Sequence, residues 1–187
     1  MADWIGHINA DVSNYLATFG SGASVNARLK DADPATGVKT NNGGDGYAIF
    51  GMEDPSALGT ISNVRITFKI WRDAGTPTVQ PSAIGHKVGS AAIVYATLRN
   101  NLPTSATEVY DDFALNNGVA WTQQNITDLQ PVIYLLAGAE DKTVLNAYCS
   151  EISEIKVTYT PPPAAPTNVA ATKNNNTKVV VTWTAGA

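Results

Sequence analysis

Two histidines, a few carboxylate pairs, one oxygen-rich stretch and several tryptophans are the residues with chemistry to offer. His7 and His86 stand far apart, and no Gly-x-Ser-x-Gly elbow supplies a nucleophile for either to activate. Both read better as surface or hydrogen-bonded histidines than as members of a Ser/His/Asp triad. Glycosidase chemistry needs two carboxylates facing one sugar, and Asp111-Asp112 or Glu140-Asp141 offers one member each, because neighbours on a strand point to opposite faces. These acids read as solvated loop and edge charges. Asp31, Asp33, Asn41, Asn42 and Asp45 carry enough oxygen for a calcium ion, which takes about 6 to 8 oxygen ligands. Their spacing is too long for an EF-hand, and the same residue types build ordinary metal-free turns. The single Cys149 excludes an internal disulfide framework and a multi-cysteine zinc site, and is expected as a buried thiol in a strand. No catalytic residue, cofactor or metal is assigned.

Trp4, Trp71 and Trp121 suit sugar stacking, since aromatic faces pack against pyranose rings. Trp71 alternates with Arg65, Thr67 and Lys69 on an expected outer face, where a large apolar ring needs a partner: a glycan, a neighbouring subunit or a loop of the same domain. The segment from Ala2 to Phe19 holds Trp4, Ile5, Ile8, Tyr15, Leu16 and Phe19 with little strand pattern. It reads as an arm that buries itself on a neighbour. Trp4, Ile5, Tyr15, Phe19 and Trp71 are therefore the interaction candidates, and a homo-oligomer is expected.

The elements that position these residues are mostly strands. Val64, Ile66, Phe68 and Ile70 alternate with Arg65, Thr67, Lys69 and Trp71, the pattern of a half-buried strand with the first four inward. Ala91 to Leu98 and Ile152 to Tyr159 alternate as well, and Tyr47 to Phe50, Glu108 to Leu115, Val132 to Leu136 and Val144 to Cys149 are further strand candidates. Turn residues separate them at 42–46, 73–77, 116–118 and 137–141. Two short helical turns are predicted: Asp11 to Ala17, with Val12, Tyr15 and Leu16 on one face, and Gln123 to Leu129, capped by Thr122 and stopped by Pro131. Many short strands with tight connections point to an all-β fold, an antiparallel, jelly-roll-like β-sandwich over residues 1–160.

The 187 residues are 44% hydrophobic and only 15% charged, enough for a core beneath a sparsely charged surface. Residues 1–160 hold all 16 acids, and 161–187 hold two lysines and no acid, within a net charge of −4. No basic patch suits nucleic acid. No apolar run approaches the roughly 20 residues of a membrane helix. The N-terminus lacks the basic region and apolar core of a secretory signal, so synthesis in the cytoplasm is expected.

At Thr160 the composition turns to Pro161-Pro162-Pro163-Ala164-Ala165-Pro166, an extended spacer. The following Thr167-Asn168-Val169 and Val179-Val180-Val181-Thr182-Trp183-Thr184 resemble the first two strands of a fibronectin type III, immunoglobulin-like domain. Residues 167–187 would be an incomplete segment of such a domain, with the parent polypeptide continuing. Alternatively they form a hairpin that docks on the first domain or on a neighbour.

Tyr110-Asp111-Asp112-Phe113, Asn116 to Thr122, Ile126 to Leu129 and Glu154 to Tyr159 resemble a β-sandwich module of tailed-bacteriophage virion proteins. The resemblance implies a helical turn opened by Trp121-Thr122 and a closing Val157-Thr158-Tyr159 strand, without a catalytic residue. It further implies a non-enzymatic virion protein, a capsid decoration, a fibre or a tail-associated appendage, that anchors by its sandwich and projects Ig-like domains. Its partners would be other virion proteins and host surface glycans, and its place the virion assembled in the host cytoplasm. The rival classes are a carbohydrate-binding module of a secreted multidomain enzyme, which would be extracellular, and a hydrolase.

Overall fold

The computed structural model describes residues 1–20, 24–29, 35–40, 46–72, 82–99, 102–135, 147–175 and 178–184. In chain order the elements are β1 (Ala2–Asn14), β2 (Ala17–Phe19), α1 (Val25–Arg28), β3 (Gly37–Lys39), β4 (Gly46–Met52), β5 (Thr60–Arg72) and β6 (Ser82–Val88). They continue with β7 (Val94–Tyr95), β8 (Thr107–Phe113), α2 (Gln123–Thr127), β9 (Leu129–Leu135), β10 (Ala147–Thr160), β11 (Thr167–Asn175) and β12 (Lys178–Thr184). The fold is all-β, an antiparallel sandwich made from one curled sheet. Its first layer runs β8-β5-β10-β1, with β3 and β2 continuing beside the first residues of β10. Its second layer runs β1-β4-β9-β6-β7.

β1 belongs to both layers. Ala2 to His7 pair with β10, and Ile8 to Asn14 pair with β4. Register shifts between Ile8 and Ala10 and between Asp11 and Ser13 bend the strand from one layer to the other. The expected helical turn over Asp11 to Ala17 is therefore replaced by strand, and the docking arm by a strand at the centre of its own domain. The bulges displaced the alternation, leaving Val12, Tyr15 and Leu16 at a spacing that imitates a helix.

The core lies between the layers. Val64, Ile66, Phe68 and Ile70 of β5 are fully buried as the alternation predicts, and meet Phe50, Ile84, Ile133, Leu135, Ile155 and Val157 in one cluster. Burying side chains of this size stabilises by about 1.5–3 kcal/mol each. The predicted run Ala91 to Leu98 shortens to the two residues of β7. Thr122 caps α2 as predicted: its hydroxyl accepts from the Asn125 amide at 3.1 Å, and the Asn125 side chain returns an acceptor to the Thr122 amide at 3.0 Å. The helix ends a residue or two short of prediction, since Leu129 already opens β9. Asn117 and Gly118, with φ of 48° and 83°, close the tight turn between Asn116 and Val119.

β11 and β12 form a separate two-stranded sheet behind the exposed segment 161–166. Val169, Val180, Val181 and Trp183 are exposed there. The turns expected at 42–46, 73–77 and 137–141 and the calcium candidates Asp31, Asp33, Asn41, Asn42 and Asp45 fall largely or wholly outside the described residues. Cys149 stands in β10 opposite Ile70 and Val38, and its thiol is also outside them.

Candidate functional site

The sandwich presents two outer faces. On the first layer, β5 places Arg65, Thr67, Lys69 and Trp71 outward by the same alternation that buries Phe68. Arg65 grips Asp112 of β8 with both arms, Nε to Oδ1 at 2.9 Å and Nη2 to Oδ2 at 2.8 Å, while its guanidinium covers the Tyr110 ring at 3.9 Å. The hydrogen bond from Arg65 holds the Asp112 carboxyl below the ordinary carboxylate range. Lys156 of β10 pairs with Asp3 of β1 at 2.8 Å, and the Thr158 hydroxyl donates to the same carboxylate. Those bonds, Lys156 foremost, lower Asp3 too. A shallow recess of about 340 Å³ opens among Arg65, Thr67, Glu108, Tyr110, Glu154 and Lys156. The face is a mosaic of paired charges.

The second layer is different. Tyr47 of β4 lies directly opposite Tyr134 of β9, which lies opposite Ala83 of β6. In the adjoining row Ile49 faces Val132, and Val132 faces Gly85, which is paired on its other edge with Tyr95 of β7. Tyr15, just past the end of β1, stacks on Tyr47 with centroids 4.7 Å apart, and Tyr95 reaches Tyr134 at 5.5 Å. Four tyrosines from separated segments thus form one row running across the strands.

Small residues make room for that row. A Cβ on Gly85 would stand 2.8 Å from the Tyr95 ring and 2.7 Å from the Val94 carbonyl oxygen, so only glycine lets Tyr95 lean over β6. Ala83, Ile49 and Val132 are buried yet stand outside the main core cluster. They form a thin apolar layer on the outer side of the sheet, beneath the phenols. Tyr15 remains 62% and Tyr95 41% exposed, while Tyr47 and Tyr134 are half-buried. Burial first, then the hydrogen bond with Tyr15, pushes the Tyr47 phenol above its ordinary value. Burial, helped by Tyr134 and Tyr47, does the same to Tyr95. Both shifts favour the neutral phenol. Lys87, paired with Gln130, stands one row beyond Val132 on the same face.

The sequence-based candidates divide. Tyr15 belongs to the row. Trp4 does not reach out: its ring folds over Gly6, where a Cβ would sit 2.0 Å away, and packs against the core. Ile5 is 51% exposed on the charged layer. Trp71 is half-buried and finds an edge-to-face partner in Phe19 of the same chain, centroids 6.1 Å apart. Trp121 is buried, its Nε1 donating to the Phe113 carbonyl at 2.8 Å, and serves the core.

Of the titratable candidates, His86 is buried between Phe113 and Trp121, its Nε2 3.2 Å from Asn116 Oδ1, and burial lowers its pKa. His7 lies in the other layer, on β1. Asp111 and Asp112 point apart as expected, to Arg99 and Arg65. Glu140 and Asp141 lie outside the described residues. Among the described residues no group of three His, Cys, Asp or Glu side chains is placed to hold a metal, and no helix is long and apolar enough to cross a membrane.

Tyr47, Tyr95 and Tyr134 were not singled out by sequence. The signal present was the opposite parity to inward neighbours: Ala48 and Phe50 for Tyr47, Ile133 and Leu135 for Tyr134, and Ala96 for Tyr95.

No family model and no curated protein matches this sequence. Solved structures similar to it include two carbohydrate-binding modules. A family 16 carbohydrate-binding module is 12% identical over 67% of this chain and 82% of its own, with a TM-score of 0.38. A xylan-binding module, CBM15, is 12% identical over 86% of this chain and 99% of its own, with a TM-score of 0.44.

Proposed function

We propose that residues 1–160 are a non-catalytic carbohydrate-binding module that holds glycans on the tyrosine row. One observation carries the reading: Tyr15, Tyr47, Tyr134 and Tyr95 come from β4, β7, β9 and the end of β1 to make one exposed aromatic surface. Phenol faces pack against the C–H faces of sugar rings, and phenol hydroxyls exchange hydrogen bonds with sugar hydroxyls. The module would meet its glycans outside the cell. The exposed spacer 161–166 and the β11-β12 hairpin, read as the opening of a fibronectin type III-like segment, would hold it off its neighbour.

Affinity electrophoresis through gels cast with neutral and acidic polysaccharides tests this. The expected result is retardation by at least one of them, lost in Tyr47→Ala and retained in Arg65→Ala on the opposite layer. Unretarded migration in every gel overturns the reading.

A second reading, a structural module of a bacteriophage virion, rests on the resemblance of segments between Tyr110 and Tyr159 to such modules, with the helical turn after Trp121 and the strand through Tyr159 as its support. Other virion proteins and further copies of the chain would then be its partners. Immunogold labelling of purified particles tests it, and unlabelled particles overturn it.

A further inference from the structure

Resting on the carbohydrate reading, we infer the class of glycan: a single, soluble, uncharged chain that twists along its length, not the flat face of a crystalline polysaccharide. The row is not planar. Tyr15 and Tyr47 are tilted 47° to each other, and Tyr95 and Tyr134 43°. A rigid planar ligand that lies flat on one member of each pair meets the other at 47° or 43°. A free chain turns about every glycosidic bond and can offer each successive ring face at its own angle.

The spacing sets the direction. The ring centroids lie 4.7 Å apart at one end of the row and 5.5 Å apart at the other, and Tyr47 and Tyr134 stand opposite each other on neighbouring strands between them. A chain laid along the row crosses the strands and meets the phenols in turn.

Charge and chemistry narrow it further. Among the described residues, the row and the positions beneath it are four phenols with Ala83, Ile49 and Val132, none of them a cation or an anion. A uronate or sulfate drawn over it loses water and gains no counter-charge. An apolar protein partner would offer the phenol hydroxyls no hydrogen bond. A second copy of the chain needs roughly 800 Å² per partner. With Tyr47 and Tyr134 more buried than Tyr15 and Tyr95, the four rings expose well under half that area, taking ~200 Å² for a whole tyrosine side chain.

The test uses the full chain in three measurements. Gels with mixed-linkage β-glucan, glucomannan, arabinoxylan and polygalacturonate identify the best neutral polysaccharide. Calorimetry then follows a length series cut from it, from disaccharide to hexasaccharide, and depletion assays use microcrystalline cellulose and crystalline chitin. Affinity should rise through the tetrasaccharide and level off, and Tyr15→Ala and Tyr95→Ala should each lose about tenfold, with melting curves showing both folded. Crystalline solids should not deplete the protein.

Depletion by a crystalline solid without binding of soluble chains overturns this inference and leaves the carbohydrate reading standing. So does retardation by polygalacturonate alone, or affinity that does not change with length. Failure of every glycan, soluble or crystalline, overturns the carbohydrate reading itself. Soluble binding untouched by Tyr15→Ala and Tyr95→Ala removes the row as the site.

Discussion

The outer faces of the two layers share one core and solve opposite problems. On the β8-β5-β10-β1 layer, long side chains pair with one another: Arg65 with Asp112, Lys156 with Asp3, and Arg65 again with the Tyr110 ring. The charges of those pairs already have partners, and water reaches them. On the β1-β4-β9-β6-β7 layer the positions of the same parity hold Ile49, Ala83, Gly85 and Val132 beneath four phenols. That surface satisfies the sheet below it and still presents rings outward. A face that uses its charges on itself is a wall, whereas a face roofed by half-exposed rings retains unsatisfied contact area.

Substitutions in the shared core should strike both faces together and hardest. Phe68→Ala opens a cavity against Phe50, whose ring centroid is 6.3 Å away, and should cost about 3–5 kcal/mol. Urea unfolding followed by tyrosine fluorescence and by far-UV circular dichroism should shift by the same amount. Two separated transitions would show that the layers unfold independently.

Gly85→Val breaks the comparison on one side only. Its side chain collides with Val94 and the Tyr95 ring, so about 1–3 kcal/mol of strain should appear. Glycan retardation should vanish while the Arg65–Asp112 pair remains. Retention of both full stability and binding would show that Tyr95 does not need the space over β6.

Acid should act through the interior. Burial holds the His86 pKa below its ordinary 6.5, so above pH 6.5 both folded and unfolded chains carry it neutral and stability is complete. As pH falls below 6.5 the unfolded chain takes up the proton first, and stability declines until the folded-state pKa is passed. Asp112 and Asp3 add a second decline lower down, beginning as pH drops through the ordinary carboxylate value of 3.8. Melting temperatures across pH 3–8 check this, and His86→Leu should remove the first decline and keep the second.

The smallest effect is expected on the charged face. Arg65→Ala removes a pair whose side chains are 37% and 39% exposed, and should cost about 0–1 kcal/mol, less in high salt. A loss as large as that of Gly85→Val would contradict the wall-like role of this layer.

How much of this was legible depended on how many faces of a strand are buried. β5 shows strict alternation because its outer side meets water, and its inward residues were readable directly. β9 has apolar residues on both sides, Ile133 and Leu135 toward the core and Val132 beneath the phenols, so its alternation was hidden in a nearly continuous apolar run. The row itself depends on Tyr47 meeting Tyr134 across strands far apart in sequence, which no local pattern encodes. Tyr15 was readable as an interaction candidate only as one of the large side chains of an N-terminal segment with little strand pattern. The capping residue Thr122, by contrast, acts within three positions and could be found locally.

The pairing of β1 has a mechanical consequence. Ala2 stands opposite Tyr159 in antiparallel register, so β1 starts and β10 leaves at the same end of the sandwich. Tension applied through the residues flanking the sandwich loads the ladder one rung at a time, from Ala2 and Tyr159 toward His7 and Glu154, instead of shearing all rungs together. Only after that zipper has opened does the pull reach Ile8, where β1 crosses into the other layer, and Tyr15 at its far end is the last to feel it. Under load the module would give way first on the side that holds only its own charges, and would release whatever rests on the phenols last.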